Sequence, residues 1–202
     1  MLLRVNPDNP QSAGIHRAVE CLKNGGVIIY PTDTVYGIGC DIHQPKAIER
    51  ICKIKGIDPQ KANLTFICHD LSHISDYAKH IDNTVFKLMK KSLPGPFTFI
   101  LEASNNVPKL LRNNKKTVGI RVPDNPICKE LLQWLGNPIL STSVHDDDDL
   151  MEYITDPEEI HSKYENLVDV VIDGGFGHNV ASTVIDCTGD EPFVIRQGAG
   201  EI

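Results

Sequence analysis

The chain has 202 residues, 41% hydrophobic and 23% charged, a composition that suits one globular domain with a substantial core. No apolar run approaches the ~20 residues of a membrane-spanning helix, and the opening MLLRVNPDNP lacks the apolar stretch of a signal peptide, so a cytoplasmic location away from membranes is expected. A net charge of −7 and a pI near 5.6 argue against a generally basic, nucleic-acid-coating surface.

In chain order, residues 12–24 place Ile15, Ala18, Val19 and Leu22 on one helical stripe, with Ser12 to cap the start and Gly25-Gly26 to end it. The run Val27-Ile28-Ile29-Tyr30 stops at Pro31 and predicts a buried strand. Thr32, Asp33, Thr34 and Tyr36 then gather four hydrogen-bonding side chains at a strand exit. In open α/β sheets that is where ligands collect, although a hydrogen-bonded turn tying the loop to the body would look the same, with Asp33 as an Asx turn. Gly37 and Gly39 allow a ligand or another backbone to come close. Pro45 suits a first helical turn, and Ile48, Ile51 and Cys52 share a face of a helix that runs to residue 55, with Gly56 beyond it.

Residues 64–68 predict a strand. Asp70 is placed to cap a short helix, and Asp82 to cap another that buries Val85, Phe86 and Met89. Pro94-Gly95-Pro96 precedes a strand over 97–101, and 109–112 reads as one helical turn. A strand over 117–122 closes at Pro123. Pro126 opens a helix through Leu135, where Trp134 is expected to pack inward, and Gly136 ends it. The strand over 138–144 turns polar at Ser141-Thr142-Ser143. Asp156-Pro157 opens a helix to about residue 165, and strands over 168–172, 183–187 and 193–196 follow. The expectation is one α/β domain over 1–202, a twisted open sheet of roughly seven strands. The sheet should be mixed, because strict β-α-β alternation fails in the last third.

Six cysteines, none in a CxxC pair, lie among apolar residues and read as buried reduced thiols, not zinc ligands or disulfides. His69 and His73 read as surface residues without a third ligand, and Asp146 to Asp149 as a solvated loop. Lys87, Lys90, Lys91, Lys109, Arg112, Lys115 and Lys116 make the most basic stretch, read as a solvated face before an RNA site. Polar groups recur at strand ends: Thr32 to Tyr36, Lys55, Thr98, Arg121, Ser141 to Ser143, Ser182-Thr183 and Arg196. Two arginines, a lysine and many hydroxyls suit a ligand bearing carboxylate or phosphate. No Ser-His-Asp order, Cys-His pair or phosphate-binding glycine loop is present, so covalent catalysis is not indicated.

The segments PTDTVYGIGCD (31–41), KIKG (53–56), PGPFTFIL (94–101), VGIRVPDNP (118–126), LSTS (140–143), STVIDCT (182–188) and VIRQGAG (194–200) resemble, in order and spacing, the YrdC/YciO family over nearly the whole chain. The resemblance implies a sheet around a large concave cavity. It also implies the threonylcarbamoyl-AMP synthase reaction, in which L-threonine, bicarbonate and ATP with Mg²⁺ give the adenylate and pyrophosphate for tRNA threonylcarbamoyladenosine formation. Thr32, Thr34, Tyr36, Arg121 and Ser182 would then line the threonine side, and Lys55, Ser141, Ser143 and Arg196 the nucleotide side, with no protein nucleophile. Binding of double-stranded RNA, tRNA or the ribosome without catalysis is the alternative that the family carries. Two departures fall on the nucleotide side. Ile57 stands where synthases have the arginine of a Lys-x-Arg motif, and His145 where they have the asparagine of a Ser-x-Asn motif. This pattern is similar to the YciO branch and implies weak or altered synthase activity.

Overall fold

The computed structural model describes residues 1–10, 12–58, 64–108, 116–144 and 153–201. Among them, one mixed sheet runs through ten strands, more than the seven or so expected. In chain order they are β1 (Leu2–Arg4), β2 (Ile28–Tyr30), β3 (Gly37–Asp41), β4 (Thr65–Ile67), β5 (Phe97–Glu102), β6 (Thr117–Arg121), β7 (Ile139–Ser143), β8 (Val170–Asp173), β9 (Thr183–Asp186) and β10 (Phe193–Arg196). Across the sheet the order is β1-β8-β2-β3-β7-β4-β6-β5-β9-β10. The pairs β1·β8, β2·β8, β4·β6 and β5·β9 are parallel and the others antiparallel, as the broken alternation predicts.

Among the described residues six helices flank this sheet: α1 (Ser12–Lys23), α2 (Pro45–Ile54), α3 (Ile74–Tyr77), α4 (Asn83–Ser92), α5 (Pro126–Leu135) and α6 (Pro157–Tyr164). Strand alternation sorts the core between the two faces. Ile28 and Tyr30 of β2, Ile139 of β7 and Val170 and Ile172 of β8 join α1 (Ile15, Val19, Leu22) and α5 (Ile127, Leu131, Leu132) on one face. Ile29, Ile38, Leu140 and Val171 point the other way, into α2 (Ile48, Ile51), α4 (Val85, Met89) and α6 (Ile160, Tyr164).

The helix termini follow the capping logic of the sequence. Asp82 accepts from Thr84 N at 2.7 Å, Asn125 from Cys128 N at 3.0 Å and Asp156 from Glu158 N at 2.9 Å. Gly136 ends α5 in the left-handed region, at φ 82°. Four local expectations are corrected. The GIGCD stretch, for which no element was expected, is a fully buried strand, β3. Asp70 accepts from Ser72 N at 2.7 Å and makes a turn, while α3 starts only at Ile74. Phe86 is 39% and Trp134 48% exposed, because each falls just outside the narrow stripe its helix buries. Trp134 instead packs edge-on against His16, with ring centroids 4.3 Å apart, and its Nε1 donates to Glu130 Oε2. The helical turn expected over 109–112 lies outside the described residues.

Candidate functional site

The face that α1 and α5 cover at one end of the sheet is open at the other. Every second residue of five adjacent strands points there. They are Ser141 and Ser143 of β7, Thr65 and Ile67 of β4, Thr117, Gly119 and Arg121 of β6, Thr98, Ile100 and Glu102 of β5, and Val184 and Asp186 of β9, with Ser182 just before it. Registers align them into rows: Ser141 faces Thr65, Thr65 faces Gly119, Gly119 faces Ile100 and Ile100 faces Asp186. Small side chains leave room above the row, and the result is a cavity of about 630 Å³. Ligand pockets run from roughly 300 to 1,000 Å³. The boundary with the apolar layer is the fully buried Tyr30, whose hydroxyl donates to Ser141 Oγ at 2.8 Å. Burial pushes that hydroxyl's pKa far above the usual tyrosine range, so it stays a donor.

Arg121 ends β6 at the cavity wall. Its Nη2 donates to Asp33 Oδ1 at 2.5 Å and Thr34 Oγ1 at 2.7 Å, and more distantly to Thr32 Oγ1 at 3.4 Å. Thr32 Oγ1 also donates to Val35 O and accepts from Thr34 N, which closes the loop on itself. Asp33 is therefore a counter-ion, not the Asx turn expected of it. Thr34 is completely buried behind the guanidinium and does not line the cavity.

On the opposite wall Arg196 of β10 donates from Nε and Nη2 to Ser182 O, at 3.2 and 2.8 Å, and from Nη2 to Ser182 Oγ at 3.3 Å. Ser182 Oγ lies 2.8 Å from Thr98 Oγ1. Thr183 turns to the far face, where its Oγ1 donates to Gly200 O and accepts from Gly198 N and Gly200 N. It ties down the RQGAG segment and stands away from the cavity. Tyr36, fully buried, forms part of the cavity wall. Its hydroxyl donates to Gly175 O at 2.7 Å, and burial pushes its pKa up to about 12.

Of the residues expected to form a site, Thr32, Tyr36, Arg121, Ser141, Ser143, Ser182 and Arg196 come together around one cavity. Lys55 does not line it. It caps the C-terminus of α2, half-buried, with its N–H bonded to Ile51 O. Ile57 follows two residues later, its N–H bonded to Cys52 O. His145 and Asp146 to Asp149 lie outside the described residues, as do Lys109, Arg112 and Lys115. The strand-end reasoning overlooked Thr65, Ile100, Glu102, Thr117, Gly119 and Asp186. Their signal is a period of two: Thr98-x-Ile100-x-Glu102 and Thr117-x-Gly119-x-Arg121 alternate with Phe97, Phe99, Leu101, Val118 and Ile120, which go to the core.

The cavity carries cations at one end and the carboxylates Glu102 and Asp186 at the other. Asp186 Oδ1 already accepts from Thr188 N and Oγ1, and Glu102 lies 3.8 Å from Lys79. Among the described residues no three His, Cys, Asp or Glu side chains gather to cage a metal ion. His69 and His73 pair with Asp70 and Asp76 at the surface, and hydrogen bonding from His69 and Ser72 holds the Asp70 carboxyl down to about 2. All six cysteines are free thiols. Burial raises each one, Cys21 and Cys187 to about 11, which leaves them unreactive at neutral pH. No helix among the described residues is long and apolar enough to cross a membrane.

Comparison with known proteins adds three relatives and a family. The Sua5/YciO/YrdC family model, described as telomere recombination, matches residues 20–198. The uncharacterized protein YciO of Escherichia coli K12 is 46% identical over 200 residues, covering 98% of this chain and 95% of that protein. The crystal structure of E. coli YciO superposes with a TM-score of 0.92 at 45% identity, over 100% of this chain and 97% of the other. A threonylcarbamoyl-AMP synthase of Coxiella burnetii is 31% identical over 163 residues, 81% of this chain and 86% of the synthase. The crystal structure of P. abyssi Sua5 complexed with L-threonine matches 98% of this chain and 57% of that one, with a TM-score of 0.89 and 28% identity.

Proposed function

From the premise that this chain belongs to the Sua5/YciO/YrdC family, we propose that its cavity joins L-threonine, bicarbonate and ATP into threonylcarbamoyl-AMP, releasing pyrophosphate. The product would serve threonylcarbamoyladenosine formation on tRNA. The observation that carries this reading is Arg121. It is a guanidinium fixed by three acceptors at the wall of a hydroxyl-lined cavity, in a chain 28% identical to a protein crystallised with L-threonine.

The chemistry asks for positioning. The threonine amine and bicarbonate condense to a carbamate with loss of water. A carbamate oxygen then attacks the α-phosphorus of ATP, and pyrophosphate leaves with the bonding pair. No protein nucleophile takes part, so the chain must align two anions and offset charge as it develops. In this reading Thr32, Tyr36, Arg121 and Ser182 hold the amino acid, with Thr34 acting through Arg121. Ser141, Ser143 and Arg196 face the nucleotide; Lys55, outside the cavity wall, is given no part in holding it. Mg²⁺ arrives bound to the triphosphate as part of the substrate, because it is held mainly by phosphate oxygens and water. Neither Ile57 nor His145 supplies the cation or amide that synthases place there. Loss of one charge-stabilising donor costs on the order of 10²- to 10³-fold in turnover, so slow synthesis is expected.

The test is pyrophosphate release from Mg-ATP, with and without L-threonine and bicarbonate, beside an Ile57→Arg, His145→Asn double variant. Slow release dependent on both co-substrates, accelerated at least tenfold in the variant, is the expected outcome. Release in neither protein would overturn the synthase reading. The alternative, an RNA-binding role without catalysis, draws on exposed Lys87, Lys90 and Lys91 along α4. It would be favoured by RNA affinity that falls steeply with salt.

A further inference from the structure

Thr98 lines the cavity but takes neither the amino-acid role nor the nucleotide role described above. It stands on β5 at the alternate position shared with Ile100 and Glu102, so its side chain points to the cavity and away from Phe97 and Phe99, which join the core. One residue past the paired Phe99 and Ile120, it has Arg121 on the neighbouring strand β6. On its other side Ser182 Oγ lies 2.8 Å from Thr98 Oγ1 and accepts from Arg196 Nη2 at 3.3 Å. The order across this end of the cavity is therefore guanidinium, hydroxyl, hydroxyl, guanidinium.

The two hydroxyls bring two protons, and only one can lie in the bond between them. If Ser182 donates, the Thr98 proton is left over, and if Thr98 donates, the Ser182 proton is. Neither oxygen has a further acceptor among the described residues. Thr98 is 7% and Ser182 4% exposed, and both belong to the cavity wall. A tie between β5 and β9 would spend one proton. The second is a donor without an acceptor, set between two cations, and that suits an oxyanion. In the synthesis above Arg121 holds the amino acid and Arg196 faces the nucleotide, so the group that falls between them is the carbamate. Resting on that reading, we propose that Thr98 is a substrate-binding residue: with Ser182, it donates the spare O–H to the carbamate oxygen that does not attack phosphorus. The proton stays on its hydroxyl and no bond to the protein is made. The contact holds a group that otherwise reverts to free amine and bicarbonate.

Bicarbonate is then expected to strengthen L-threonine binding. Titration calorimetry reads this with Mg²⁺ and the α,β-methylene analogue of ATP, which cannot release pyrophosphate, in bicarbonate and in chloride of equal ionic strength. The wild-type protein should bind threonine about tenfold more tightly in bicarbonate, the worth of one hydrogen bond to a charged group. Thr98→Val keeps the branched shape that a strand favours. It should lose that gain, while its threonine affinity in chloride stays within about threefold of wild type. Thr98→Ser, which restores the hydroxyl, should regain it. No bicarbonate effect in the wild type would overturn the proposal and leave threonine binding standing. So would a Thr98→Val protein that keeps the full gain, or one that loses affinity equally in both salts, since Thr98 would then shape the wall or hold the amino acid itself. No threonine binding by the wild type in either salt would remove the synthase reading and this proposal with it. If the thermal midpoint shows that Thr98→Val does not fold, Thr98→Ala makes the same comparison without added bulk.

Discussion

Arg121 depends on acceptors contributed by one short loop, and the loop depends on Arg121 in return. The guanidinium is 8% exposed and the Asp33 carboxylate 10%, so each charge relies on the other in place of water. Removing one partner of such a pair costs roughly 3–5 kcal/mol, because the remaining charge is buried alone. Arg121→Met is therefore expected to lower the unfolding free energy by about that amount, measured by urea denaturation. Adding Asp33→Asn to it should recover at least half, because the stranded charge is gone. Additive losses in the double variant would mean that the two side chains do not interact. This pairing was not legible in the chain. Asp33 lies two residues past a strand-ending proline in a turn-forming sequence, and only the successive pairings β3·β7, β7·β4 and β4·β6 bring residue 121 to it from 88 positions away.

Elements were legible where one local rule decided them. The stripe Ile15-Ala18-Val19-Leu22 with Gly25-Gly26 beyond it, and the frame from Pro126 to Gly136, carry periodic face and stop in the sequence, and α1 and α5 form there. The missed strand β3 shows the limit. GIGCD has poor intrinsic strand preference, and its place is set by neighbours on both sides, β2 and β7. Gly39 is a glycine for lack of space. A β-carbon there would lie 2.6 Å from Ile139 Cγ2 and 2.8 Å from Leu140 O, and the second of these is backbone that cannot rotate away. Gly39→Ala should therefore destabilise the protein by about 1–3 kcal/mol, the usual range for overpacking. Gly189→Ala, with nothing within 4 Å of the added carbon, should stay within about 0.5 kcal/mol of wild type. Equal urea midpoints for the two variants would contradict the crowding seen at the β3·β7 ladder.

At the scale of the whole molecule the cavity is where the sheet outruns its helical cover. Apolar residues of α1 and α5 close one face over β1, β8 and β2, whereas alternate positions of β7, β4, β6, β5 and β9 on that face carry Ser, Thr, Gly and Arg. Polar residues at strand ends hinted at this convergence, but the alternating set inside the strands defines the floor, and that set needs the cross-strand registers to be seen as one surface. Such a face gains little from burial in the unliganded state, so a ligand that fills it should stabilise the fold by mass action. At a free concentration one hundred times its dissociation constant, a ligand bound only by the folded state adds about 2.7 kcal/mol. For a chain of this length each kilocalorie corresponds to roughly 2–4 °C in Tm. Saturating L-threonine is thus expected to raise the thermal midpoint by on the order of 5–10 °C, with D-threonine and L-lactate giving much smaller shifts. A midpoint that does not move with L-threonine, alone or with Mg-ATP, would mean that the hydroxyl-lined face serves another ligand. The bipolar arrangement of Arg121 and Arg196 against Glu102 and Asp186 would then be the guide to its charge.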